Sequence, residues 1–149
     1  MKIKIDRQSE TEKIASQLAA HVQLGDVIAL HGDLGVGKSV FARAFIRSLT
    51  SIDEEVPSPT FTLVQIYEAE AGELYHFDVY RLEQADEALE LGIEEAFNEG
   101  ISLIEWPERA GALLPKMRLD VTLAFGESDE TRVVRIERLG NWNGRLNEL

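Results

Sequence analysis

Cysteine is absent from the 149 residues. That excludes disulfides, thiolate chemistry, cysteine-bound zinc and iron–sulfur clusters together. Proline is scarce, so the pair at Pro57 and Pro59 sets its segment apart. Positive charge is short: Lys and Arg number 15 against 27 Asp and Glu, a net charge of −12. Such a field repels a phosphate backbone, and direct capture of nucleic acid by this chain is not expected. A local anion site remains open to it, because backbone amides bind phosphate inside acidic proteins. No apolar run approaches the roughly 18 residues of a membrane span. The opening Met1-Lys2-Ile3-Lys4-Ile5-Asp6 lacks the apolar core of a signal peptide. No membrane partner and a cytoplasmic location are therefore the expectations. The length predicts one domain over residues 1–149, burying roughly 69% of its extended-chain surface.

What is present reads as alternating strands and helices. Ile3 and Ile5 suit a short strand, and Ser9-Glu10-Thr11-Glu12 fits a capping box with Ser9 as the cap. Ile14, Leu18 and Val22 recur at helical spacing up to a stop at Gly25. Val27-Ile28-Ala29-Leu30 is a continuous apolar run, as in parallel strands covered on both faces. Phe41, Ala42, Phe45, Ile46 and Leu49 mark a second helix. Residues 50–60 form a polar loop long enough to carry function. Strands are predicted over 62–67, 73–80 and 101–105, short helices over 84–91 and 93–99 broken at Gly92, and a helix from Pro107. A hairpin is predicted from 119–125 and 132–139, and one helical turn in the tail from Asn141. Acidic stretches such as 86–90 read as solvated faces, and Arg132, Arg135 and Arg138 do not form a nucleic-acid patch.

Gly32-Asp33-Leu34-Gly35-Val36-Gly37-Lys38-Ser39 satisfies G-x-x-x-x-G-K-[ST] between an apolar strand and an amphipathic helix, the setting a phosphate loop requires. Its glycines admit backbone conformations closed to other residues. The N–H groups of the loop and of the helix start, as far as Val40, then cradle phosphates. Lys38 is expected to reach the β- and γ-phosphates and Ser39 to offer its hydroxyl to Mg²⁺.

Such a site also needs a carboxylate across from the loop. Glu105 ends the apolar strand Ile101–Ile104, at the sheet edge where ligands bind if that strand runs parallel to 27–30. It would hold Mg²⁺, directly or through water, or orient the attacking water. Asp78 is the alternative bearer of either role, and it shares a strand face with His76 and Tyr80. The guanine-reading Asn-Lys-x-Asp and the transporter signature Leu-Ser-Gly-Gly are both missing.

With these residues in view the chain resembles the TsaE family, also called YjeE: small bacterial ATPases of tRNA threonylcarbamoyladenosine biosynthesis. The resemblance spans about residues 5 to 125 and rests on four motifs in order. These are the Gly-Asp-Leu-Gly-x-Gly-Lys loop, Ser58-Pro59-Thr60-Phe61-Thr62, His76-x-Asp78-x-Tyr80-Arg81-Leu82, and Ile104-Glu105-Trp106-Pro107. It implies an α/β P-loop NTPase fold: a mostly parallel central sheet, helices on both faces, and the antiparallel hairpin near the C-terminus. It further implies hydrolysis of ATP with Mg²⁺, and work with TsaB and TsaD, which modify adenosine 37 of tRNA. Thr60 matches a sensor of the γ-phosphate, Asp78 and Glu105 the essential carboxylates, and Trp106 a functional aromatic beside the site. Gln8 and Ser9 fall where the chain approaches adenine. Ser39 stands where Thr is common, and either hydroxyl can ligate Mg²⁺.

The expected function is a Mg²⁺-dependent, partner-dependent ATPase that drives or resets the modification complex. Its expected catalytic residues are Lys38, Asp78 and Glu105, and its metal ligands Ser39 and Glu105. The nucleotide would meet Gln8, Ser9, Gly32, Asp33, Leu34, Gly35, Val36, Gly37, Lys38, Ser39, Val40, Thr60 and Trp106. The rival is a small P-loop kinase of a metabolite with Arg81 and Arg109 as lid arginines, but no lid-length insertion stands in the sequence.

Overall fold

The computed structural model describes residues 1–140 and Trp142, and the turn expected from Asn141 lies outside the described residues. Seven strands form one sheet: β1 (Lys2–Ile5), β2 (Val27–His31), β3 (Val64–Ala69), β4 (Gly72–Asp78), β5 (Ile101–Glu105), β6 (Leu119–Phe125) and β7 (Arg132–Arg138). Their spatial order is β1-β7-β6-β2-β5-β4-β3. The centre is parallel: β2 pairs with both β5 and β6, and β4 with β5. The flanks are antiparallel hairpins and an added edge, β6 with β7, β3 with β4, and β1 with β7.

The apolar run of β2 is buried on both sides, as its lack of alternation predicted. Ile28 and Leu30 face the core under α1 (Gln8–Ala19) and α2 (Lys38–Leu49), with Leu18, Phe41 and Phe45. Val27 and Ala29 face the opposite core, where α3 (Ile93–Glu99) contributes Ile93 and Ala96 beside Phe77 and Ile104. Phe45 is fully buried and stacks on Phe41 at 6.3 Å between ring centroids. Phe45→Ala is expected to cost about 3–5 kcal/mol. Denaturant titration should show a lower midpoint with an unchanged slope, and a loss under about 1 kcal/mol would contradict this packing.

Three local expectations are corrected. Ser9 does not cap α1: Arg7, in extended conformation, is the cap residue and makes no side-chain capping bond. The helix therefore begins at Gln8, and Ser9 lies in its first turn beside Glu10, whose charge suits the helix dipole. Helix α1 ends at Ala19 rather than at Gly25, which turns the chain at φ +90° and donates its N–H to the carbonyl of Gly100 at 2.7 Å. Residues Ala85–Leu91 and Pro107–Leu113 are 3-10 segments, not α-helices. The first is short and acidic and stops at left-handed Gly92. The second is broken by Gly111 at φ +55°, ψ −128°.

Candidate functional site

The phosphate loop joins β2 to α2 at the C-terminal edge of the parallel strands, where open α/β sheets bind ligands. Gly32 sits at φ +149°, and a Cβ there would lie 2.7 Å from both the Leu123 carbonyl and Val36 Cγ1. Packing against β6 thus excludes any side chain. Gly35 and Gly37 also have positive φ, yet a Cβ on either would meet nothing within 4 Å. At these two positions the backbone shape demands glycine, and the space beside them is open. Gly37 caps α2 without any side-chain bond, so the first amides of that helix lack a side-chain acceptor. The loop is closed by Val36 N–H donating to the Asp33 carbonyl at 3.3 Å. It is tethered from outside by Arg132, whose Nε donates to the Val36 carbonyl at 2.9 Å.

Across from the loop lies a cavity of about 270 Å³, lined by Leu34, Gly35, Gly37, Lys38, Ser39, Ser58, Thr60, Asp78, Glu105 and Trp106. Asp78 and Glu105 are register partners at the ends of β4 and β5, so the parallel pairing that places one places the other. Lys38 is buried, and its Nζ has no hydrogen-bond partner among the described residues. The ammonium stands 3.6 Å from the centroid of the Trp106 ring. Burial pushes its pKa below the ordinary value, while Glu105, then Asp78, Glu108 and Asp33, act to raise it. Trp106 reaches this position through a left-handed backbone at φ +57°, a conformation costly for a bulky residue. Tyr80 packs on its ring at 4.7 Å.

The 50–60 loop enters the site through its last residues. Leu63 has φ +70° and donates its N–H to the Pro59 carbonyl at 2.7 Å, turning 59–63 back on itself. This turn delays β3 to Val64 and carries Thr60 to Asp78, where its hydroxyl donates to Oδ2 at 3.3 Å. Ser58 Oγ lies 2.7 Å from the same hydroxyl. Asp78 Oδ1 accepts the Tyr80 N–H at 3.1 Å. Glu105 Oε2 is 2.7 Å from Nε2 of the buried His76.

A second cavity, about 300 Å³, adjoins the first at Gly37 and is lined by Ile5, Arg7, Gln8, Thr11, Val36, Val40, Glu130 and Arg132 besides that glycine. Gln8 is therefore at this cavity. Ser9 is not; it faces a separate depression with Glu12, Lys13 and Arg47. Gly32 and Asp33 line neither cavity but shape the loop between them. Sequence reasoning missed Arg7, Glu130 and Arg132, and nothing local in the sequence marks them. It left His76 evenly divided between a site role and a half-buried structural one, and it named Ser58 only within a family motif, two residues before Thr60.

The donor set fits a metal–phosphate group better than a bare metal. Among the described residues no cluster of three or more His, Asp or Glu side chains could hold a cation by itself. Mg²⁺ is commonly held by one or two carboxylates together with substrate phosphates. Ser39, Asp78 and Glu105 around one cavity, with an unpartnered ammonium beside them, suit that arrangement.

Comparison with known proteins bears on the family and the fold. Residues 5–134 match the family model "Threonylcarbamoyl adenosine biosynthesis protein TsaE". The tRNA threonylcarbamoyladenosine biosynthesis protein TsaE of Bacillus subtilis is 41% identical over 133 residues, covering 89% of this chain and 82% of its own. Its counterpart of Aquifex aeolicus is 37% identical over 136 residues, covering 90% and 93%. That of Rickettsia conorii is 40% identical over 119 residues, covering 80% and 68%. The crystal structure of Bacillus subtilis YdiB aligns with a TM-score of 0.78 at 32% identity, over 95% of this chain and 86% of that one. With a family match over most of its length and relatives at this identity, the chain belongs to the TsaE family.

Proposed function

We propose that this protein is a Mg²⁺-dependent ATPase of tRNA threonylcarbamoyladenosine biosynthesis, working with TsaB and TsaD to drive or reset the complex that modifies adenosine 37. The observation that carries the reading is the Lys38 ammonium, buried and without a hydrogen-bond partner among the described residues, in a phosphate loop facing two carboxylates. A buried charge held without a partner is costly, and a β,γ-phosphate would relieve that cost.

Each element then has a role. The amides of Gly35 to Val40 bind the phosphates, and the second cavity, with Gln8 and Val40 in its lining, takes the base. When bound, Mg²⁺ neutralises charge on the transferred phosphoryl group. Ser39 holds it by its hydroxyl, with Glu105 directly or through water. Glu105 gives Oε2 to His76, which leaves Oε1 for the attacking water or for water on the metal. Thr60, now bonded to Asp78 and Ser58, exchanges those partners for the γ-phosphate.

Such an exchange reshapes the 50–60 loop and presents partners with two surfaces. TsaB–TsaD should then bind the two nucleotide states with affinities at least about fivefold apart, the usual lower range of coupling. The test is titration calorimetry with a non-hydrolysable ATP analogue and again with ADP, alongside phosphate release with and without partners and with no phosphate acceptor added. Equal affinities and unmoved turnover would sink the switch, and turnover that requires an added acceptor would favour the kinase.

A further inference from the structure

We infer that His76 is a positioning residue for Glu105, fixing which carboxylate oxygen meets the reacting water. The inference rests on the ATPase reading above. His76 and Glu105 stand one strand apart, on β4 and β5, and both are buried. Their 2.7 Å contact is the one hydrogen bond the structure gives the Glu105 side chain among the described residues. A buried pair of this kind contributes little net stability compared with apolar packing. Its physical effect is orientation: a glutamate side chain has three free torsions, and one strong bond at its end restrains them together.

The tautomer follows from the other ring nitrogen. Nδ1 of His76 is buried and has no protein partner among the described residues. His76 lines a cavity of about 60 Å³ together with Ser39, Arg43, Ser58 and Glu105. Ala42, Val56 and Pro57 complete its lining. With no protein acceptor at Nδ1 among the described residues and a carboxylate, which only accepts, at Nε2, the proton of the contact sits on Nε2 and Nε2–H donates to Glu105 Oε2. Oε1 is then the oxygen presented to the larger cavity that holds Lys38 and Ser39.

The test separates orientation from mere packing. Glutamine carries an amide N–H near the place of Nε2, whereas asparagine carries one near Nδ1. In phosphate-release assays with ATP, Mg²⁺, TsaB and TsaD, His76→Ala and His76→Asn should lose about ten- to hundredfold in kcat, the usual cost of removing an orienting partner, while His76→Gln stays within about threefold. Affinity for a non-hydrolysable ATP analogue should stay within about threefold in all three. In a Glu105→Gln background, His76→Ala should cost nothing further, because residues acting as a unit are not additive. The inference is overturned if glutamine fails as badly as asparagine, if the loss appears in nucleotide affinity, or if the two losses add. Should His76→Ala not fold by circular dichroism, the asparagine–glutamine pair decides. A wild type that releases no phosphate with or without partners overturns the ATPase reading itself, whereas active wild type with three indifferent variants overturns this inference alone.

Discussion

Lys38→Ala yields a folded protein that no longer hydrolyses ATP. The expected loss in turnover is on the order of a thousandfold, the upper range for removing one preorganised stabiliser of transition-state charge. The fold survives for a reason visible in the structure. Lys38 is buried, its Nζ has no hydrogen-bond partner among the described residues and its pKa is pushed down by burial, so the ionised side chain opposes the stability of the nucleotide-free protein. Removing it relieves that strain while forfeiting the contact with the Trp106 ring. The two effects offset, and the Tm of the free protein should move by no more than about 4 °C, the equivalent of 1 kcal/mol at this size. The rise in Tm that nucleotide gives the wild type by mass action should vanish. Calorimetry showing a folded variant with unchanged ATP affinity and turnover would falsify the role given to Lys38.

Glu105→Gln should keep nucleotide binding and lose turnover by about a hundredfold or more. The amide preserves size, and its oxygen still accepts from His76 Nε2–H, so the site keeps its shape. What disappears is the negative charge beside Mg²⁺ and the attacking water. Asp78→Asn is the necessary comparison. Both Asp78 oxygens are engaged, one by the Thr60 hydroxyl and one by the Tyr80 amide, which points to a part in holding the 58–63 turn. Its loss should show mainly as a weakened difference between the ATP and ADP states. If Asp78→Asn cripples turnover and Glu105→Gln is nearly silent, Asp78 is the leading carboxylate.

Much of this site was legible because its parts sit at the ends of apolar strands. Val27–Leu30 announced a covered parallel strand, and the glycine loop after it had one plausible place. Glu105 closed an apolar run, and the register set Asp78, read as lying inside its strand, beside it. The less legible contacts are those between residues far apart in sequence. Glu105 meets His76 only because β4 lies beside β5, a pairing that no periodicity encodes. Arg132 reaches Val36 across most of the chain, and its alternating strand reads like any other hairpin. The misplaced cap at Ser9 has a local cause: the side-chain pattern was there, but the helix starts two residues earlier than a Ser9 cap sets it, at Gln8 rather than Glu10. Short segments such as 85–91 hold helical spacing and still settle as 3-10 turns: left-handed Gly92 stops this one, while the equally short 93–99 beyond it does form an α-helix.

The sheet order also sets when a newly made chain can first sense nucleotide. Strand β2 aims the phosphate loop, yet Val27 pairs with Ser102 and Ile28 with Leu119, so both neighbours are synthesised long after the loop itself. Arg132, which tethers the loop, follows later still. A nascent chain ending near residue 100 therefore carries the whole glycine motif and α2 but no strand beside β2 to seat them. Long-range parallel pairing is slow to form because loop closure precedes any gain from contact. Under the proposed ATPase function, ATP is then a ligand of the finished sheet alone: it would stabilise completed molecules by mass action and leave those still on the ribosome untouched.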